Sequence, residues 1–109
     1  MNILLITQTL SAGGSERTVA KLSKLYAQHC KVFILVIDGT KNIDFEYAGK
    51  LLFLKDFMSG KSVFFLNKVR AVRQIKKRFN IHVTISFLEG PNFTNILSRS
   101  NDKVYVSVR

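Results

Sequence analysis

The stretch Lys31 to Ile37 (Lys-Val-Phe-Ile-Leu-Val-Ile) has no polar side chain after its first residue and is rich in β-branched residues. A strand without polar alternation has to be covered on both faces, which is the habit of parallel sheets rather than of half-solvated antiparallel ones. Parallel neighbours in turn need crossover connections, normally helices, so this run points to a layered α/β fold.

The rest of the chain supplies what such a sheet requires. Asn2 to Thr7 is a short apolar run and a first buried strand. Lys50 to Leu54, His82 to Phe87 and Lys103 to Val108 read as further strands. From Glu16 the pattern turns helical, with Val19, Leu22, Leu25 and Tyr26 at helical spacing. A longer helical pattern covers about Ser62 to Phe79, with Phe65, Val69, Val72, Ile75 and Phe79 in one apolar stripe. A short helix, Asn92 to Arg99, follows Pro91, with Phe93, Ile96 and Leu97 as its inner face. Lys41 to Gly49 and Lys55 to Ser62 read as loops, and Ser100-Asn101-Asp102 as a turn. Right-handed crossovers from a central first strand predict a Rossmann-like three-layer sandwich, a single domain over 1–109, with strand order 3-2-1-4-5.

Ligands of such sheets bind at the carboxyl ends of the strands. That edge collects Thr7 to Ser15, Asp38 to Thr40, Phe87 to Asn92 and Arg109. Within it, Gly13 and Gly14 lead directly into a helix and expose backbone N–H groups, a ready anion site for a phosphate or diphosphate. The three spaced glycines of a dinucleotide fingerprint and the Gly-Lys-Ser/Thr end of a P-loop are both missing, so a plain strand-to-helix turn is an equal reading of the pair. Asp38-Gly39 reads as a turn rather than a ribose ligand. Ser15 suits a helix cap and Glu16 the positive end of a helix dipole.

Charge narrows the partner. Seventeen Lys and Arg against seven Asp and Glu leave a formal charge of +10, which predicts an anionic partner. The long helix concentrates it, with Lys61, Lys68, Arg70, Arg73, Lys76, Lys77 and Arg78 off the apolar stripe and no acid within the segment. A basic amphipathic helix suits an anionic bilayer surface, and Arg70, Arg73 and Lys77, with Lys68, are its candidate contacts. Nucleic acid is a second candidate class, as for a stand-alone basic Rossmann-like module. Its aromatics, however, lie on strands or the buried stripe, and no helix-turn-helix, zinc-finger or RNP pattern appears. A phospho-acceptor domain would need acids after the first strand, where Thr7-Gln8 stand.

Other chemistry is thin. The one cysteine, Cys30, excludes a disulfide framework and a Cys-rich metal site, and suits a half-buried position in a reducing compartment. No His/Cys/Asp/Glu spacing suggests a metal, and no cofactor is implied. Ile3 to Ile6 is too short for a signal or membrane span, which gives a cytoplasmic expectation, peripheral to the membrane if the basic helix docks there.

Two stretches resemble one family. Leu10-Ser11-Ala12-Gly13-Gly14-Ser15-Glu16-Arg17-Thr18-Val19 is similar to the Gly-Gly-Ala/Ser-Glu-Arg turn that opens GT4-type GT-B glycosyltransferases. Ile85 to Asn92 followed by Val104 to Arg109 resembles the end of the same N-terminal half-domain in bacterial polysaccharide and oligosaccharide transferases. The resemblance implies an acceptor-side domain of a retaining hexosyltransferase that takes a sugar from a nucleotide-sugar. The acceptor would be a surface-polysaccharide or polyprenyl-diphosphate-linked glycan. The donor domain and its catalytic glutamates would lie outside this chain, leaving the chain alone inactive. Gly13, Gly14 and Ser15 would then face the donor diphosphate or sugar, and Glu16, Arg17, Glu89, Asn92 and Arg109 the acceptor. Phe87-Leu88-Glu89 stands where many such transferases carry a rim histidine, so the role of that position departs from the family pattern.

Overall fold

A computed structural model describes residues 1–7, 14–37, 46–57, 65–87, 95–96, 98–100 and 102–107. Five strands form one wholly parallel sheet: β1 (Asn2–Thr7), β2 (Lys31–Val36), β3 (Lys50–Phe53), β4 (Val83–Phe87) and β5 (Lys103–Ser107), in the order β3-β2-β1-β4-β5. Helices α1 (Gly14–Tyr26) and α2 (Phe65–Arg78) pack on opposite faces, which makes the expected Rossmann-like three-layer arrangement.

Strand periodicity divides the core into two layers. Leu4, Ile6, Phe33, Leu35 and Leu52 point to one face and meet Ala71, Val72 and Ile75 of α2. Ile3, Leu5, Val32, Ile34 and Val36 point to the other and meet Val19 of α1. The unbroken apolar run of β2 is thereby buried on both sides, with Val32 to Val36 at most 3% exposed. Leu22 and Tyr26 pack beside Val19 as the spacing predicts, and Cys30 is half-buried in the same cluster. Leu25 departs from the expected stripe: it is exposed, because the stripe is narrower than its spacing suggested.

The boundaries follow local chemistry. β3 ends at Phe53, one residue before the expected end, and Leu54 turns inward to open a 3-10 turn (Leu54–Phe57) where a loop was predicted. Gly49 enters β3 at φ +92°, and a Cβ there would come within 2.4 Å of the Val32 carbonyl oxygen, so only glycine fits. Helix α2 stops in a Schellman motif. The Ile81 amide donates to the Lys76 carbonyl and the Asn80 amide to that of Lys77, with Asn80 at φ 51°. The Asn2 side chain donates to the carbonyls of Phe79 and Asn80, fastening this helix end to the start of β1. His82, expected to open β4, instead precedes it and accepts the Asn2 backbone N–H at Nδ1.

One expectation fails at Ile96. In the connection between β4 and β5, Asn95 and Ser98 are buried and Ile96 is half exposed, so the described inner face is polar rather than apolar. Phe93 and Leu97, expected beside Ile96, lie outside the described residues.

Candidate functional site

The carboxyl ends of the strands share one edge. Thr7 is level with Val36, Ile6 with Ser86 and Phe87 with Ser107. The Ile37 amide donates to the Thr7 carbonyl at 2.9 Å and continues the β1–β2 ladder to that edge. Gly14 opens α1, so the helix begins at the second glycine rather than at Glu16. Gly13, Asp38, Glu89, Asn92 and Arg109 lie outside the described residues, as do the side-chain roles expected of Ser15 and Glu16. Arg17 is exposed on α1 and lines an open surface hollow with Ala20, Lys21, Lys24 and Glu46.

The structure brings the outer cations of α2 together. Arg70, Arg73 and Lys77 are exposed and, with Gln74, line a second shallow hollow. They recur at steps of three and four, which stacks them on one helix face. Lys68, two residues before Arg70, is half-buried. Arg78 lies over the rings of Phe57 and Phe79, and Lys50 over Phe79 from the β3 side. The amino edge of the sheet therefore carries positive charge on an aromatic base, continuous with the end of α2.

Lys76 does not belong to this cationic face. Its side chain is fully buried, and its ammonium lies 2.9 Å from Asp102 Oδ2, 2.8 Å from Asn95 Oδ1 and 3.1 Å from the Asn95 carbonyl oxygen. Three ammonium protons thus have three acceptors. Asp102, expected in a plain turn, is buried as well, and accepts from the Thr84 hydroxyl at 2.6 Å and the Ser100 amide at 2.9 Å. Asn95 Nδ2 donates to Ser86 Oγ and to the Tyr105 carbonyl. The Ser98 hydroxyl donates to the Asn95 carbonyl. No buried side-chain nitrogen or oxygen among the described residues lacks a partner.

The two charges of this centre are tuned by opposing causes. Burial is the largest influence on Lys76 and carries its pKa below the ordinary 10.5, against the hydrogen bond and charge of Asp102; nearby Arg99 adds to the lowering. Burial is also the largest single influence on Asp102 and acts upward. The hydrogen bonds from Thr84, Ser100 and Lys76, with the Lys76 charge, together outweigh it and hold the carboxyl below the ordinary 3.8. The sequence signal for this centre was faint. Lys76 lies one helical step from Val72, beside the apolar stripe, and Asp102 is one of only seven acids in the chain.

Comparison with protein-family models and with curated proteins gives no match. No group of metal-ligating side chains occurs among the described residues, and no described helix is long and apolar enough to cross a membrane.

Proposed function

We propose that the chain is the acceptor-side Rossmann-like domain of a GT4-like GT-B glycosyltransferase. It would act with a donor-binding domain to move a sugar from a nucleotide-sugar to a surface-polysaccharide or polyprenyl-diphosphate-linked glycan. The observation that carries this reading is the parallel pairing of β1 with β4 through Ile6 and Ser86. The two stretches that resemble the transferases leave adjacent central strands at one edge, as a single site requires. At that edge Gly13 and Gly14 would offer backbone N–H groups to a diphosphate or transferred sugar, with Ser15 beside them. Glu16, Arg17, Glu89, Asn92 and Arg109 would contact the acceptor. The resident chemistry is recognition and orientation, since bond breaking would rest with the donor domain.

The exposed face of α2 supports a companion role. Arg70, Arg73 and Lys77, flanked by Lys68, would hold an anionic membrane surface or the diphosphate of a lipid-linked acceptor at the cytoplasmic face.

Two measurements test the reading. The full reading frame that carries this chain is expected to turn over a nucleotide-sugar onto a polyprenyl-diphosphate acceptor. No turnover across a panel of nucleotide-sugars, together with salt-dependent binding of random DNA, would favour the nucleic-acid alternative. For the membrane face, cosedimentation with phosphatidylglycerol vesicles is expected to weaken roughly a hundredfold in Arg70→Gln/Arg73→Gln/Lys77→Gln, at about 1 kcal/mol per cation. Unchanged vesicle binding in that triple variant would remove α2 from the membrane contact.

A further inference from the structure

The amino edge of the sheet carries a cluster of cations that the proposed transfer reaction does not use. Lys50 Nζ lies 5.2 Å and the Arg78 guanidinium 5.6 Å from the ring centroid of Phe79. Arg78 also lies 5.9 Å from the centroid of Phe57. Phe33 packs on Phe79 at 4.9 Å, and Lys31 Nζ stands 5.8 Å from the Phe33 ring. Register explains the gathering. Lys50 is level with Phe33 and Lys31 precedes it by two residues on β2, so both lysines share with Phe33 the sheet face that α2 covers. Arg78, in the last turn of α2, meets the same group of rings.

All three cations are exposed, and none forms an ion pair with a described residue, Asp56 of the adjoining 3-10 turn included. The end of α2 does not engage them either: the carbonyls of Lys76, Lys77, Phe79 and Asn80 already accept from Ile81, Asn80 and Asn2. A ring face steadies an exposed cation only weakly and leaves its N–H groups able to donate. Like charges gathered in this way repel one another until an anion joins them.

We propose that Lys31, Lys50 and Arg78 form a binding site for a phosphate-type anion, a diphosphate or a phosphate ester, at the edge opposite the one proposed for sugar transfer. Arg78 supplies a planar fork that matches two phosphate oxygens, and the lysines supply point charges. A diphosphate has acceptor oxygens at both ends and so can bridge the cations around the Phe79 ring. The aromatic base holds the side chains in place, which reduces the ordering cost of binding. The site does not rest on the transferase reading.

Inorganic diphosphate titrated into the 109-residue chain at constant ionic strength, followed by amide NMR shifts, tests the site. Saturable shifts are expected at Lys31, Lys50 and Arg78, with affinity at least about tenfold lower in Lys50→Gln/Arg78→Gln. Arg78→Lys keeps the charge without the fork and should bind between the two. Arg70→Gln/Arg73→Gln/Lys77→Gln, on the outer face of α2, should bind diphosphate as the parent does. Shifts that rise without saturation over all exposed cations, or equal losses in the two sets of variants, would reduce the cluster to diffuse positive charge and overturn the site. Parent-like binding in Lys50→Gln/Arg78→Gln, with a lowered melting temperature, would assign these cations to packing on the rings instead. Phosphatidylglycerol vesicles identify the source of the phosphate. In Lys50→Gln/Arg78→Gln, loss of vesicle binding together with diphosphate binding gives a lipid headgroup, and loss of diphosphate binding alone gives a soluble ligand; both results keep the site.

Discussion

Among the described residues, two lysine–carboxylate pairs tie a helix to a connecting segment, and their lengths are nearly the same. Lys24 of α1 reaches Glu46 at 3.0 Å, and Lys76 of α2 reaches Asp102 at 2.9 Å. Their surroundings are opposite. The side chains of the first pair are 49% and 89% exposed, and those of the second are both at 0%. Behind Lys24 the segment is also held by Ser23, whose hydroxyl accepts the Ala48 amide and donates to the Ala20 carbonyl. Tyr47 packs on the apolar layer under α1. Behind Lys76 the described anchors are polar throughout. Bond length therefore says little about what an ion pair contributes; the solvent around it and the other anchors of the segment decide.

The largest difference between the two should appear when one partner is removed. Lys76→Met leaves Asp102 buried without its counter-charge and Asn95 Oδ1 without the Lys76 donor. A loss of about 3–5 kcal/mol in denaturant-derived stability is expected. Restoring most of that loss in Lys76→Met/Asp102→Leu would sharpen the contrast, because paired apolar replacements of buried ion pairs are often near neutral. If Lys76→Met cost no more than an exposed pair, the comparison between the two sites would break.

The same contrast explains what was legible in the sequence. The strands and their order were readable because β2 has to be covered on both faces and because helices recur between the strands. The inner residues of α2, Val72 and Ile75, were readable from periodicity alone. Lys76 was not. A lysine beside an apolar stripe looks like one more solvated cation, and the acid that neutralises it lies on a distant turn that only tertiary structure brings near. Ile96 misled for a related reason. An apolar residue in a short helix suggests an apolar inner face, but Asn95 is turned inward, where it meets Lys76 and Ser86, and Ser98 follows it by donating to the Asn95 carbonyl. Of the expected site, Arg70, Arg73 and Lys77 are brought together as their spacing foretold. Of the rim residues that carry the transferase resemblance, Gly13, Glu89, Asn92 and Arg109 lie outside the described residues.

Acid provides the next test. The Asp102 carboxyl is held below its ordinary 3.8 in the folded protein. The folded state therefore binds fewer protons there than the unfolded chain does. The stability from this group is fully present above the unfolded value and is lost as pH falls through the lower folded one. Denaturation midpoints should drop as pH is lowered below about 3.8, and Asp102→Leu in the Lys76→Met background should remove that part of the slope. An acid limb that is identical in the parent and the double variant would assign it to other carboxylates.

The smallest effect belongs to the exposed pair. Lys24→Gln removes a charge from a contact that water screens on both sides, and a change of about 0–1 kcal/mol is expected. Salt should already have weakened the parent's contribution at 0.15 M, where the Debye length is about 8 Å, so the difference between parent and variant should shrink further as salt is raised. The Ala48 amide would keep its bond to the Ser23 hydroxyl, and residues 46–48 would stay on α1. Protection of the Ala48 amide in Lys24→Gln is the decisive readout. Parent-like protection means that the surface pair decorates a contact made by Ser23 and Tyr47. Lost protection would mean that Lys24 itself holds residues 46–48 on α1, and burial would no longer be what separates the two pairs.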